Sequence, residues 1–302
     1  MRSNVLAAMV LFAATPATAQ ELREPPADAR QRSASIATAR LEDSYILFSH
    51  QLRINDQLDP LIFEAMIAPH FRLALPWLNG VVVASPIVTL RMYDTESFPV
   101  RTPSYAPRLT AFVWPRSVRD PGAALLYASF AVAHYSNGQE GPLLDSTGAL
   151  NHRNGSFATN YVEIGVHRGR TIGRGFAAQS AVLQINPAGA LDPPIRDRYG
   201  RNRLRFQAEW VFRMPGAGGV WRAQLNPAIL IGPVDTLFRS GLERVQWSAS
   251  LAVRPRPLGQ LGVIVHHYWG QDYYNIWLDR RIHALRVGLV GSLMPELPAA
   301  LR

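Results

Sequence analysis

From Tyr45 onward the chain alternates apolar and polar residues in segments of about ten, separated by Gly, Pro, Asn and Asp. That period of two, bounded by turn residues, predicts strands. We place them near 45–54, 61–75, 80–93, 105–115, 122–136, 158–168, 174–187, 202–214, 219–232, 242–254, 259–273 and 280–293. The alternation is sharpest late in the chain. Leu204, Phe206, Ala208, Trp210, Phe212 and Met214 share one face, against Arg203, Arg205, Gln207, Glu209, Val211 and Arg213 on the other. Val245, Trp247, Ala249, Leu251 and Val253 oppose Arg244, Gln246, Ser248 and Ser250. Leu285, Val287, Leu289 and Leu293 oppose Arg286, Gly288 and Ser292. A soluble sheet with one wet face would also alternate. Twelve strands of this length, apolar on one face and charged on the other, instead predict an all-β fold, a transmembrane antiparallel β-barrel with a polar lumen. Two segments are less regular: 80–93 is apolar on both faces until Arg91, and Pro69 interrupts 61–75, where it predicts a bulge or a strand end.

The start of the chain reads differently. Arg2, the apolar run Val5–Ala14 and the small-x-small site Ala17-Thr18-Ala19 form a secretory signal peptide over 1–19. Residues 20–44 are polar and rich in Pro and Arg, and read as an N-terminal arm. The barrel is expected over 45–294, with a C-terminal tail at 295–302. No stretch reaches the roughly 18 apolar residues that a spanning helix needs.

Composition narrows the possible partners. The 302 residues contain no cysteine, so a metal would be held by oxygen or imidazole. The net charge is +9 and all of the basic charge is arginine. Without a basic run in an exported chain, nucleic acid is not an expected partner, whereas arginines at a barrel rim suit lipid phosphates.

One segment could carry chemistry. Leu126, Ala128, Phe130, Val132, His134 and Ser136 share a face, and Asn160 shares parity with Val162, Ile164 and Val166 on the next strand. These polar residues would therefore interrupt a lipid-facing wall, which costs free energy unless they satisfy one another. Asn160 can orient the imidazole of His134, which then acts as general base for the nucleophile Ser136 on an ester carbonyl. His-x-Ser alone is a weak motif, and Ser-Asn-Gly also simply ends strands.

The run His134-Tyr135-Ser136-Asn137-Gly138, with Asn160 beyond it, resembles the outer-membrane phospholipase A family. Further likeness lies at Glu96-Ser97-Phe98-Pro99-Val100-Arg101, followed by Tyr105-Ala106-Pro107, with weaker matches at Tyr45-Ile46-Leu47, Phe71–Pro76, Trp269-Gly270 and Arg286–Leu293. The resemblance implies a twelve-stranded barrel of the outer membrane that hydrolyses glycerophospholipid acyl esters, activated by Ca2+ and by homodimerisation. It implies calcium held by Ser156, the Gln139 carbonyl, waters and Ser97 from a second subunit, and the Gly138 amide as an oxyanion donor. The chain departs from the family in three places. The connection from Tyr135 to Thr159 is longer, so the role of Asn160 assumes an insertion around Pro142 to Arg153. The family's buried polar residue at the dimer interface has no clear match near Thr89 or Arg91, and the chain ends Leu301-Arg302 rather than in an aromatic residue. A lipid A deacylase, whose smaller barrel carries a His-Tyr-Ser-Asn stretch and a glutamate, and a non-catalytic porin-like barrel are the alternatives.

Overall fold

The computed structural model describes residues 33–34, 36–38, 40–48, 61–115, 124–173, 175–187, 189, 191, 193–213, 219–232 and 241–291. The expected signal peptide at 1–19 and the expected tail at 295–302 lie outside the described residues, as does the part of the expected arm before residue 33.

Antiparallel strands follow one another around a closed ring. They are β1 (Ser44–Phe48), β2 (Leu61–Ile67), β3 (Phe71–Leu75), β4 (Gly80–Tyr93), β5 (Ser104–Val113), β6 (Leu125–Ser136), β7 (Ala158–Ile172), β8 (Gly175–Ile185), β9 (Asn202–Arg213), β10 (Gly219–Ile231), β11 (Val245–Pro255), β12 (Leu261–Gln271) and β13 (Arg281–Gly291). β2 and β3 pair with successive halves of β4 and make one stave broken at Ala68-Pro69-His70, so the barrel has twelve. Proline offers no amide to the ladder there. His70 spans the break, with Nδ1 2.8 Å from Ser85 Oγ and Nε2 2.8 Å from the Glu42 carbonyl. The ring closes where β1 pairs with β13, Ser44 opposite Gly291 and Phe48 opposite Val287. No helix among the described residues is long and apolar enough to cross a membrane.

The alternation maps onto the two faces of the wall. Along β6, Leu126, Ala128, Phe130 and Val132 are exposed, while Leu125, Tyr127, Ser129, Ala131 and Ala133 are buried. A soluble protein rarely shows an apolar band continuous around its circumference, whereas in a membrane barrel that band meets lipid. Leu126 to Ser136 spans about 33 Å at roughly 3.3 Å per residue, or about 25 Å of height once the strand tilt of about 40° is allowed for. His134 and Ser136 therefore sit at one rim. Among the described residues, that rim carries the connections 94–103, 137–157 and 272–280, while the short connections 76–79 and 256–260 join strands at the other.

The lumen is filled at both ends. At the turn end, Ile36, Ala37 and Leu41 lie inside the barrel against Val81, Val83, Phe112, Trp114, Leu125, Tyr127 and Phe176. This is why β4 is apolar on both faces: its inward Val81 and Val83 meet an apolar plug rather than water. The charged end of the same segment is tied to the wall. Arg40 bonds His167 and Gln207, Glu42 pairs with Arg108 at 2.6 Å, and Asp43 accepts from Arg222 at 2.5 Å and from Arg254. Above the plug is a polar cavity of about 320 Å³. Higher still, Arg91 is wholly buried and bonds Glu64 and Asp272, each at 2.7 Å, and Arg286 lies 3.1 Å from Glu64. A buried guanidinium is tolerable only with such partners.

Candidate active site

At the long-loop rim, β6 and β7 pair in a register that sets His134 directly opposite Asn160 and Tyr135 opposite Thr159. His134 Nδ1 lies 2.9 Å from Asn160 Oδ1. Asn160 is exposed, in line with the exposed Ile164 and Val166. Ser136 is the next residue on that face of β6, one strand repeat from His134, and is half-buried. Among the described residues its hydroxyl forms no hydrogen bond. Glu163, of opposite parity, points inward and pairs with Arg205.

The strand ends are fixed from inside. Tyr135, between the histidine and the serine, turns inward: its hydroxyl donates to the Tyr273 carbonyl and accepts from the Asn275 amide at 2.6 Å. Its ring meets Phe157 edge-on at 5.3 Å. Across from it Thr159 is buried and accepts from the Asn186 amide group at 2.8 Å. Two inward residues are thus pinned beside the two outward ones, so the lipid-facing pair cannot twist without disturbing the lumen.

Beyond Ser136 the chain does not wander. Asn137 is buried; its Oδ1 accepts from the amides of Phe157 at 2.9 Å and Gln139 at 3.3 Å, and its Nδ2 donates to the Gly155 carbonyl at 2.8 Å. Gly138 follows with φ +66°, where a side chain is strained, and a β-carbon there would come within 3.3 Å of the Tyr105 ring. Tyr105 stands opposite Ser136 on β5 and faces outward. The longer connection of the sequence reading, 137–157, is a folded flap. Gly141 bridges Gly155 so closely that a β-carbon at 141 would lie 2.3 Å from the Asn154 carbonyl oxygen. Leu144 bridges Leu150 at its tip, and hydrogen bonds from Thr147 hold the Asp145 carboxyl below the usual range.

The flap packs on a cap over the lumen. Leu150 and Phe157 join Leu191 and Ile195, the latter on the short helix Pro193–Tyr199, and Tyr274, Ile276, Trp277 and Leu278 of the β12–β13 connection. His152 stacks on Trp277 at 4.3 Å and lies 3.0 Å from Asp279 Oδ1. The sequence reading assigned no role to Asn137 or to the 272–280 connection. A signal for the latter was present, since Tyr273, Tyr274, Ile276, Trp277 and Leu278 are too apolar for a loop in water.

The remaining expected residues divide. Gln139 and Ser156 lie in the flap, both half-buried, with the Ser156 amide donating to the Gly141 carbonyl at 2.9 Å. Ser97 is exposed on a different connection, 94–103, where it and Phe98 both take positive φ, 65° and 44°. Within one chain, therefore, the first two share a loop and Ser97 lies on another. Among the described residues no three His, Asp or Glu side chains are grouped to hold a metal.

No protein-family model matches the chain, and no curated protein matches it in sequence. Solved structures do match it. The outer membrane phospholipase dimer of Salmonella typhi with bound calcium aligns with a TM-score of 0.57 at 15% identity, over 87% of this chain and 99% of that one. Outer membrane phospholipase A of Escherichia coli aligns at 0.56 and 16%, with the same coverage, and an active-site mutant of that enzyme at 0.55 and 15%. The fold is that of the outer membrane phospholipase A barrels.

Proposed function

We propose that this chain is a calcium-dependent outer-membrane phospholipase that hydrolyses the acyl esters of glycerophospholipids (an A1/A2-type carboxylic ester hydrolase). The observation that carries this reading is the His134–Asn160 hydrogen bond on the outer wall, with Ser136 beside it on the same face. A lipid-facing wall has no structural need for three polar side chains, and their burial in lipid is costly. At the end of β6 they stand at the edge of the apolar band, and the esters of a bilayer border its hydrocarbon core.

The chemistry follows from the tautomer. Asn160 Oδ1 accepts the proton on His134 Nδ1, which leaves the Nε2 lone pair to take the proton of Ser136. The serine oxygen attacks the ester carbonyl carbon, and the Gly138 amide, turned by its positive φ, stabilises the oxygen that becomes negative. His134 then returns its proton to the leaving glycerol oxygen. Water, deprotonated by the same nitrogen, releases the fatty acid and restores Ser136.

Calcium fits the donors available. Ser156, the Gln139 carbonyl and Ser97 of a second subunit are neutral oxygens, which a hard cation takes together with water. Bound there, it would supply positive charge to an ester carbonyl. Ser97 belongs to a different connection from the flap, and a homodimer would bring a second copy of it to the site. The dimeric, calcium-bound state of the Salmonella typhi structure supports both readings. The seats of the long connections and of both barrel ends support a cell-surface position for the site, since outer-membrane barrels keep their short turns inside. A channel is disfavoured by a lumen that is plugged below and capped above.

The test is phospholipid hydrolysis in detergent by the wild type and by Ser136→Ala, each with calcium or with a chelator. The substitution should cost at least about 10³-fold. Equal rates for the two proteins would remove Ser136 from the mechanism. Full wild-type activity in the chelator would remove calcium.

A further inference from the structure

Six strands along the sheet from β6, two imidazoles converge on the outer wall at the same rim. His267 on β12 shares a face with the exposed Val263 and Val265, and His283 on β13 shares one with Val287 and Leu289. Their Nε2 atoms are 3.0 Å apart and their rings nearly perpendicular, at 80°. Trp247 on β11 lies against His267, ring centres 4.5 Å apart. The Nδ1 of His267 is buried and has no partner among the described residues, so Nε2 is the nitrogen this ring can use, and it is aimed at its counterpart. The site on β6 and β7 uses none of these residues.

A contact between two imidazole nitrogens can be closed by a shared proton or by a metal ion. Ligand bonds of about 2.0–2.1 Å at a right angle separate two nitrogens by about 2.9 Å, and at the tetrahedral angle by about 3.3–3.4 Å. The observed separation is therefore that of adjacent positions on a tetragonal ion, and a small ring rotation would suit a tetrahedral one. Calcium does not compete for nitrogen donors. Arg281, two residues from His283 on the same face of β13, is drawn off: its guanidinium lies over the Trp269 ring at 4.8 Å and donates to the Glu243 carbonyl at 2.6 Å. His266 and Arg286, the neighbours in sequence and register, face the lumen.

The geometry points to His267 and His283 as a two-imidazole binding site for a divalent transition-metal ion of the Cu2+ or Ni2+ kind, completed by water at the rim. It is independent of the phospholipase reading.

The experiment is titration of the detergent-solubilised full chain with Cu2+, read by electron paramagnetic resonance and by quenching of tryptophan fluorescence. One ion should bind with two equatorial nitrogens resolved in the spectrum. His267→Gln and His283→Gln should each weaken binding at least about tenfold and leave one nitrogen. A wild-type spectrum with fewer than two nitrogens would overturn the site whatever the variants do. Unchanged affinity in both variants would also overturn it, placing the copper on others of the eight histidines and leaving a shared proton between this pair.

Discussion

At the scale of single residues, the candidate site depends on what a polar group can do on an apolar wall. Among the described residues His134 has one hydrogen-bond partner, Asn160, and with its Oδ1 as acceptor the nitrogen left basic is Nε2. Asn160→Ala should lower hydrolysis, and the loss should be smaller than that of Ser136→Ala by roughly one to two orders of magnitude, because the base stays in place while its tautomer and orientation relax. Rates of the single variants and of the double variant check this: in a unit, the double variant is barely worse than Ser136→Ala. Asn137 makes the opposite point. Its side chain is buried, and it closes three hydrogen bonds across the neck of the flap. Asn137→Ala leaves buried amides unpaired at about 1–3 kcal/mol each. Limited proteolysis should then cut the flap in the variant under conditions where the wild type survives.

At the scale of elements, the strands were legible because a barrel wall has only two environments, and side chains alternate between them. The expected and observed bounds agree within a few residues at most strand ends, and the break at Pro69 falls where proline must interrupt a ladder. The grouping of the candidate residues was legible for the same reason: parity alone put His134, Ser136 and Asn160 on one face. What the sequence concealed is whatever fills space rather than alternates. Residues 33–43 have no useful period, because a plug touches wall on several sides at once. The apolar inward face of β4 is a trace of that plug, readable only once its partner is known. The flap escaped in a like manner, since its order comes from Asn137, a glycine bridge and the cap, none of which has a repeat. His152→Ala would test the flap-to-cap contact. It removes the stack on Trp277 and the partner of Asp279, so proteolytic protection of the flap should fall while the barrel itself keeps its thermal stability.

At the scale of the whole molecule, the charges inside the barrel set its tolerance to acid. Partial burial pushes the Glu42 carboxyl up, but the Arg108 guanidinium outweighs it and holds it at about 2, against an ordinary 4.5. A carboxyl lowered on folding stabilises the folded state above its ordinary pKa, and that stability is lost as the pH falls through the folded value. The barrel should therefore resist detergent unfolding evenly from pH 7 to 5 and weaken between about pH 4.5 and 2. Glu42→Gln should be weaker at neutral pH and flatter across the acid range. Gel mobility of unheated samples after incubation at each pH reads both.

The plug has a mechanical meaning as well. Its charged residues act as the hub of a wheel: Glu42 reaches β5, Arg40 reaches β7 and β9, and Asp43 reaches β10 and β11. Spokes of fixed length set the radius of the rim. β5 and β7 are the two neighbours of β6, so the local curvature at the stave carrying His134 and Ser136 is held from the axis. The hydrogen-bonded pair of His134 and Asn160, split between β6 and β7, changes its reach whenever that curvature changes. The polar interior thereby governs the gauge of the candidate site on the outside, and a bilayer squeezing the barrel from the side would have to bend those spokes before it could spoil the alignment.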